Sequence, residues 1–257
     1  YLIKVKELPF TEAVERIVGR AAERPSVFHA RAQPEKPKTL LLPPKSNSNT
    51  RVIAYLKSRG IDGGLIEQCI RSGQLYESLP YHNAVFVGMD RNGTPRYACL
   101  RGIGTDFKGE ATGSDKRFSF ALPATGESRM LCVFESAIDL LSYATMAQAG
   151  GLSWRSQHLL SLAGVYKPQK ETQEHRLPLA LTQYLKDHAE IKAICLCLDN
   201  DMTGRSATEA IRQQLAERYK VASAFPRQGK DYNDWLCIRM GLQPAKENPM
   251  TERSFAR

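Results

Sequence analysis

From about residue 130 the chain alternates short apolar runs with stretches of helical spacing. LCVF at 131–134 reads as a buried strand, and helical periodicity follows to about Met146. HLLSL at 158–162 predicts a second strand and 177–186 a helix. IKAICLCL at 191–198 is the strongest strand signal in the chain. A helix with Ala207, Ile211 and Leu215 on one face comes next, then a short strand over 221–225. The order βαβαβαβ predicts a parallel sheet covered by helices.

Upstream the pattern is different. Residues 1–20 contain a helix start, with Thr11 as cap and Ala13, Val14, Ile17 and Val18 as an apolar stripe. Residues 31–50, rich in Pro, Lys, Ser and Asn, read as a linker. Helical patterning returns at 52–57 and 65–71. A hairpin is predicted from AVFVG (84–88), the turn DRNG (90–93) and RYACL (96–100). Residues 104–128 are polar and Gly-rich and hold the basic pair Lys116-Arg117. The divisions expected are a helix and linker over 1–50, a smaller α+β subdomain over 51–128, an α/β domain over 129–242 and a polar tail over 243–257.

Composition narrows the class. Lys and Arg number 36 against 27 Asp and Glu, so the net charge is 36 − 27 = +9, which favours a polyanionic partner such as nucleic acid or nucleotides. The 42% hydrophobic and 25% charged fractions exclude a wholly disordered chain, a collagen and a coiled coil. No apolar run is long enough to span a bilayer, and no secretory signal is present, so no membrane partner is expected. The six cysteines form no CxxC pair and no His stands at zinc-finger spacing. Cys132, Cys195 and Cys197 fall in apolar strands as buried free thiols, consistent with a reduced cytoplasmic setting. The first residue is Tyr rather than Met, as expected of a fragment.

The acids carry the chemistry. The run at 131–134 ends in Glu135, and the run at 191–198 ends in Asp199-Asn200-Asp201. The short strand near 221–225 is followed by Gly229-Lys230-Asp231-Tyr232-Asn233-Asp234. Open parallel sheets present functional groups beyond the carboxyl ends of their strands. Three strand ends would therefore direct carboxylates into one crevice. Grouped carboxylates repel unless a positive charge sits among them, and a hard divalent cation, Mg²⁺ or Mn²⁺, is the usual solution. Asp139 lies one helical turn beyond Glu135. Gly204 and Arg205 open the helix after the Asp pair, a plausible phosphate contact. Each acid taken alone is also an ordinary helix cap.

VFESAIDLLS (133–142), CLDNDMTGRSA (197–207) and GKDYNDWL (229–236) resemble the three acidic motifs of Toprim domains, the catalytic fold of bacterial primases, topoisomerases and some nucleases. YLIKVKELPFTEAVERI (1–17) resembles the helix that follows the zinc domain of replicative primases. YLKSRGIDGGLIEQCIRSG (55–73), NAVFVGMDRNGTPRYACLRG (83–102) and GSDKRFSF (113–120) resemble parts of the primase N-terminal catalytic subdomain. The nearest resemblance is to primase-like Toprim proteins of plasmids and conjugative elements. It implies an α/β fold, a Rossmann-like parallel Toprim sheet with flanking helices, preceded by a smaller primase-like α+β subdomain.

The resemblance assigns roles. Glu135 is a metal ligand or the general acid/base near the attacking hydroxyl. Asp199, Asp201 and Asp231 hold the Mg²⁺ or Mn²⁺ that binds the triphosphate, and Glu135, Asp199 and Asp201 are the catalytic set. Asn233 stands where replicative primases usually have an acid, with Asp234 beside it as a substitute, and both are counted with the metal residues. Arg101, Lys116, Arg117, Arg205 and Lys230, with Asp139, form the nucleotide- and DNA-binding group. Tyr81 and Tyr97 are candidates to stack on bases or to pack in the core.

The function implied is a divalent-metal-dependent nucleotidyltransferase making short primers on single-stranded DNA from nucleoside triphosphates. A helicase or relaxase of the same bacterial mobile element is the expected partner. A Toprim nuclease uses the same acids, with water replacing the hydroxyl nucleophile. A non-catalytic DNA-binding module of a mobilisation protein is the reading outside enzymology.

Overall fold

The structure, a computed structural model, describes residues 39–164 and 177–244. The helix start expected over residues 1–20, the first part of the expected linker and the tail beyond 244 lie outside the described residues.

Two helices open the described chain. In α1 (Thr50–Ser58) Val52 and Leu56 are buried on one face. In α2 (Gly63–Arg71) the Asp62 carboxylate accepts the Leu65 N–H as the cap, and Leu65, Ile66 and Cys69 are buried. Four antiparallel strands follow in the order β1 (Leu75–Glu77), β2 (Ala84–Met89), β3 (Pro95–Arg101) and β4 (Lys108–Glu110). Asp90 closes the β2–β3 hairpin by accepting from the backbone of Asn92 and Thr94, both at 3.0 Å.

The second sheet contains β5 (Ala121–Leu122), β6 (Met130–Phe134), β7 (His158–Ser161), β8 (Ala193–Cys197) and β9 (Lys220–Ser223), in the spatial order β5-β7-β6-β8-β9. Strands β6 to β9 pair in parallel, as the alternating pattern predicts. β5 adds an antiparallel edge to β7, with Ala121 opposite Leu160. That edge lies in the stretch expected to be polar loop, and two residues are too few for a period to register. Between the strands run α3 (Ala137–Ala149), α4 (Leu179–Asp187) and α5 (Met202–Leu215), and α6 (Tyr232–Arg239) closes the domain.

The helix α3 is buried nearly all round, Asp139, Ser142 and Thr145 included. A helix in that condition is enclosed by other elements. It packs into the apolar cluster that joins the two sheets, where Val52, Leu56 and Ile66 of the first helices, Phe86, Phe120, Phe134, Leu140 and Leu236 are all buried. The opposite face of the parallel sheet carries its own cluster, with Leu131, Val133, Leu181, Leu196 and Ile211.

One composition-based expectation needs correction. The end of the Pro-, Lys- and Ser-rich stretch runs against the small sheet. Leu41 N–H donates to the Thr112 carbonyl at 2.9 Å, Ser46 N–H to Glu77 at 2.8 Å and Leu79 N–H to Pro44 at 2.8 Å. Leu40 and Leu42 pack on the cluster formed by Tyr76, Val85 and Val87. Pro disfavours helix and central strand, but it does not prevent an extended segment from docking at a sheet. Among the described residues no helix is long and apolar enough to cross a membrane.

Candidate active site

The strand order fixes where the site lies. From β6 the chain crosses to β7 on one side, then returns to β8 on the other side and continues to β9. The carboxyl ends of β6 and β8 are thus neighbours at the point where the winding reverses, which is where open α/β sheets bind ligands. Phe134 pairs with Cys197, so Glu135 and Asp199 leave the sheet side by side. Backbone bonds hold the loops that carry them. Gly164 N–H donates to the Glu135 carbonyl at 3.0 Å, and Asn200 N–H donates to the Lys230 carbonyl at 2.7 Å.

Four acids interact electrostatically there: Glu135, Asp139, Asp199 and Asp231. Burial pushes the Asp199 carboxyl up to about 8, and the charges of Asp139, Glu135 and Asp231 add to the rise while Lys230 opposes it. Burial also pushes Asp231 up, to about 7, with Asp139 and Asp234 adding to it and the Asp234 N–H and Arg59 opposing. Asp139 is raised by burial as well, against the pull of Ser136, the Asn233 N–H, Arg59 and Arg101. The Lys230 ammonium lies 3.9 Å from Asp199 and 3.6 Å from Asp201, reaching both ends of the DxD pair.

Two of the acids also hold helices in place. Asp201 accepts the Gly204 N–H at 2.8 Å as the cap of α5, and Asp231 accepts the Asp234 N–H at 2.7 Å as the cap of α6. Gly204 is required by packing, because a Cβ there would stand 2.2 Å from the Asp199 carbonyl oxygen. Gly229 has φ +75°, and a Cβ on it would meet the Asp234 side chain at 2.4 Å. The Asp234 carboxylate accepts the Lys230 N–H at 3.0 Å and so shapes the GKD turn.

Most of the other expected site residues have partners within the fold. Asn233, counted among the metal residues, is 1% exposed. Its amide donates to the Arg59 carbonyl and to Ser142 Oγ, which occupies it in tying α6 to α3 and the end of α1. Asp139, grouped with the DNA-binding residues, is buried beneath the site and accepts the Ser136 hydroxyl and the Asn233 N–H. Lys116 pairs with Glu110 at 3.0 Å and Arg117 with Asp115 at 2.6 Å, both on the small sheet's side and half-exposed. Arg205 donates to Asn200 Oδ1 and lies over the Phe225 ring, 4.7 Å from its centroid. Tyr97 is core, its hydroxyl donating to Glu110, while Tyr81 is exposed.

Arg59 was not among the sequence candidates. It ends α1, far from the acids in sequence, and its Nε is buried with no hydrogen-bond partner. Its charge acts on both Asp139 and Asp231. It also lines a cleft of about 670 Å³ with Arg51, Tyr55, Ile103 and Gly104, its guanidinium 5.8 Å from the Tyr55 ring centroid. Arginines beside an aromatic ring suit a nucleotide or a single strand. A lone Arg at a helix end gives no sequence signal of this.

The donor set fits a hard divalent cation. The acids supply only carboxylate oxygens, and burial first and their mutual repulsion second raise the Asp199 pKa against the pull of Lys230. No three acids of the site bring an oxygen each within 4.8 Å of the others among the described residues.

Comparison with known proteins agrees with this geometry. Residues 132–236 match the family model described as Toprim-like, and residues 54–126 match a family of unknown function, DUF3991. A 65 kDa protein of Zymomonas mobilis is 26% identical over 212 residues, which cover 78% of this chain and 33% of that protein. An uncharacterized protein of Bacillus anthracis is 27% identical over 168 residues, covering 61% of this chain and 44% of it. The chain thus spans less than half the length of either relative. A structure of the DnaG catalytic core superposes with a TM-score of 0.50 at 14% identity, over 76% of this chain and 70% of that one. Residues 132–236 thus match the Toprim-like family, in a chain whose fold is similar to that of the DnaG catalytic core.

Proposed function

We propose that this protein is a primase-like nucleotidyltransferase, making short primers on single-stranded DNA from nucleoside triphosphates, in the service of a mobile element with its own helicase or relaxase. The observation that carries the reading is the meeting of Glu135, Asp199 and Asp231 at neighbouring strand ends, with Lys230 and Arg59 as the cations beside them.

Asp199 and Asp201, with Glu135 and Asp231 close by, would hold Mg²⁺ or Mn²⁺. When bound, that cation supplies positive charge to the triphosphate and acidity to the attacking hydroxyl. The chain's own residues do the rest. Lys230 neutralises the phosphates from the β9–α6 turn, and Arg205 does so from the first turn of α5, where unpaired backbone N–H groups also favour anions. Glu135, at the end of β6, receives the proton of the attacking 3′ hydroxyl. Arg59, Arg51 and Tyr55 offer the cleft through which a base or the template strand passes.

A product gel tests this. Single-stranded DNA, labelled nucleoside triphosphates and Mg²⁺ or Mn²⁺ are incubated with wild type and with Asp199→Asn/Asp201→Asn. Short labelled products from wild type alone support the reading. Cleavage of the DNA without synthesis favours the nuclease, and salt-sensitive binding with neither activity favours the binding module.

A further inference from the structure

A second group of ligating side chains lies at the other end of the parallel sheet. His158 opens β7, and His188 and Glu190 stand between α4 and β8. All three are therefore at the amino-terminal edge of the strands, whereas Glu135 and Asp199 follow their carboxyl ends. One ligand atom from each residue lies within 4.8 Å of the other two. His188 Nδ1 is 3.0 Å from Glu190 Oε1, and His158 Nε2 is 3.8 Å from the same oxygen. Zinc bonds to nitrogen and oxygen are about 2.0–2.2 Å, so tetrahedral ligands sit roughly 3.3 Å apart, between those two separations.

The informative atom is His158 Nε2. The residue is 3% exposed, and this nitrogen has no hydrogen-bond partner. Buried polar atoms are nearly always paired, so an orphan asks for a ligand. The other ring nitrogen is already engaged: Nδ1 lies 3.0 Å from the Tyr184 hydroxyl. The Ala124 N–H is 3.4 Å from the same nitrogen, at the outer limit of a hydrogen bond, and the Ser128 carbonyl stands beside the ring. Metal binding through Nε2 puts the ring proton on Nδ1, which then donates to the Tyr184 hydroxyl instead of accepting the Ala124 N–H. An outer hydrogen bond of this kind is the usual support for a metal-bound imidazole. The Tyr184 ring also stacks on His188 at 4.2 Å, which fixes the second imidazole.

We propose that His158, His188 and Glu190 form a zinc site, through Nε2, Nδ1 and Oε1, with water in the fourth position. Two imidazoles and one carboxylate suit zinc or its first-row neighbours and not Mg²⁺. The Glu190 side chain is half-exposed, so the ion can enter from solvent. Once bound, it fastens the end of α4 to β7. The competing zinc donors in the fold are Cys132, Cys195 and Cys197, whose sulfurs also lie within 4.8 Å of one another.

The test uses the full chain, stripped of metal and titrated with Zn²⁺ in excess Mg²⁺. One zinc per chain is expected for wild type and for Asp199→Asn/Asp201→Asn. Binding at least about tenfold weaker is expected for His188→Gln/Glu190→Gln and for Tyr184→Phe. Zn²⁺ should raise the melting temperature of wild type but not of the His188/Glu190 variant. If that double variant does not fold, Glu190→Gln alone, at a solvent-facing carboxylate, decides. Undiminished zinc binding by the folded variant, or none by wild type, overturns the proposal. So does Co²⁺ loading that gives a thiolate charge-transfer band, because that assigns the metal to the cysteines.

Discussion

Asn233 Nδ2 donates at 3.0 Å to the backbone carbonyl of Arg59, 174 positions earlier in the chain. The same amide group gives its second proton to Ser142 Oγ at 2.9 Å, so one side chain joins α6, α3 and the end of α1. An acid at this position would exchange a donor for an acceptor facing a carbonyl oxygen. Asn233→Asp is therefore expected to cost roughly 2–4 kcal/mol, read as a fall in melting temperature, with no gain in Mn²⁺ affinity. Tighter Mn²⁺ binding at unchanged stability would return position 233 to the metal set.

The raised carboxyls make the metal-free protein pH-sensitive. Asp199 is pushed up to about 8 and Asp231 to about 7, whereas in an unfolded chain an Asp titrates near ~4. Between those values the native state keeps protons that the unfolded chain has released. Stability then falls as pH rises through that window. Melting of the chelator-treated protein should drop between about pH 5 and 8, and Asp199→Asn should flatten the slope. A melting temperature that climbs over this range would contradict the acid cluster.

Gly204→Ala tests the seat of Asp199. The added methyl would stand 2.2 Å from the Asp199 carbonyl, so α5 must move away from β8. A cost of about 1–3 kcal/mol is expected and, on the proposed function, a larger loss of primer synthesis than the stability change explains. Comparing product yield with melting midpoint separates the two effects. Equal yield from the variant would show that the helix position is immaterial.

Lys230→Met removes the ammonium that reaches both Asp199 and Asp201. Mn²⁺ alone should bind more tightly, by roughly tenfold or less because the lysine is partly solvated, while triphosphate binding weakens. Calorimetry with Mn²⁺ and then with a triphosphate measures both. Changes in the same direction would show that Lys230 does not mediate between metal and phosphate.

Much of the fold was legible because β6 and β8 are unbroken apolar runs and β7 a mostly apolar one, each followed by a helical pattern. The acids at the strand ends were legible for the same reason, since strand order and position alone bring Glu135 and Asp199 together. Arg59 was not, because its place depends on the turn after α1 meeting α6, and no local period encodes that contact. The burial of Asn233 was hidden too, since an amide between two acids in GKDYNDWL looks like a site residue. His188 and Glu190 gave no spacing signal with His158, because their meeting follows from the turn after α4 reaching the start of β7.

The tie between Arg59 and Asn233 also governs how the site comes into being during synthesis. Glu135 and Asp199 pair as soon as β8 adds to β6, yet α6, which seats Arg59 against the acids, leaves the ribosome last of the described elements. Contacts so distant in sequence close late in folding. A nascent chain that stops before residue 232 would carry the neighbouring carboxylates without the helix that steadies their cationic counterpart. Such a truncated product is expected to be poorly ordered around the acid pair, because the helix that ties Arg59 into place is missing.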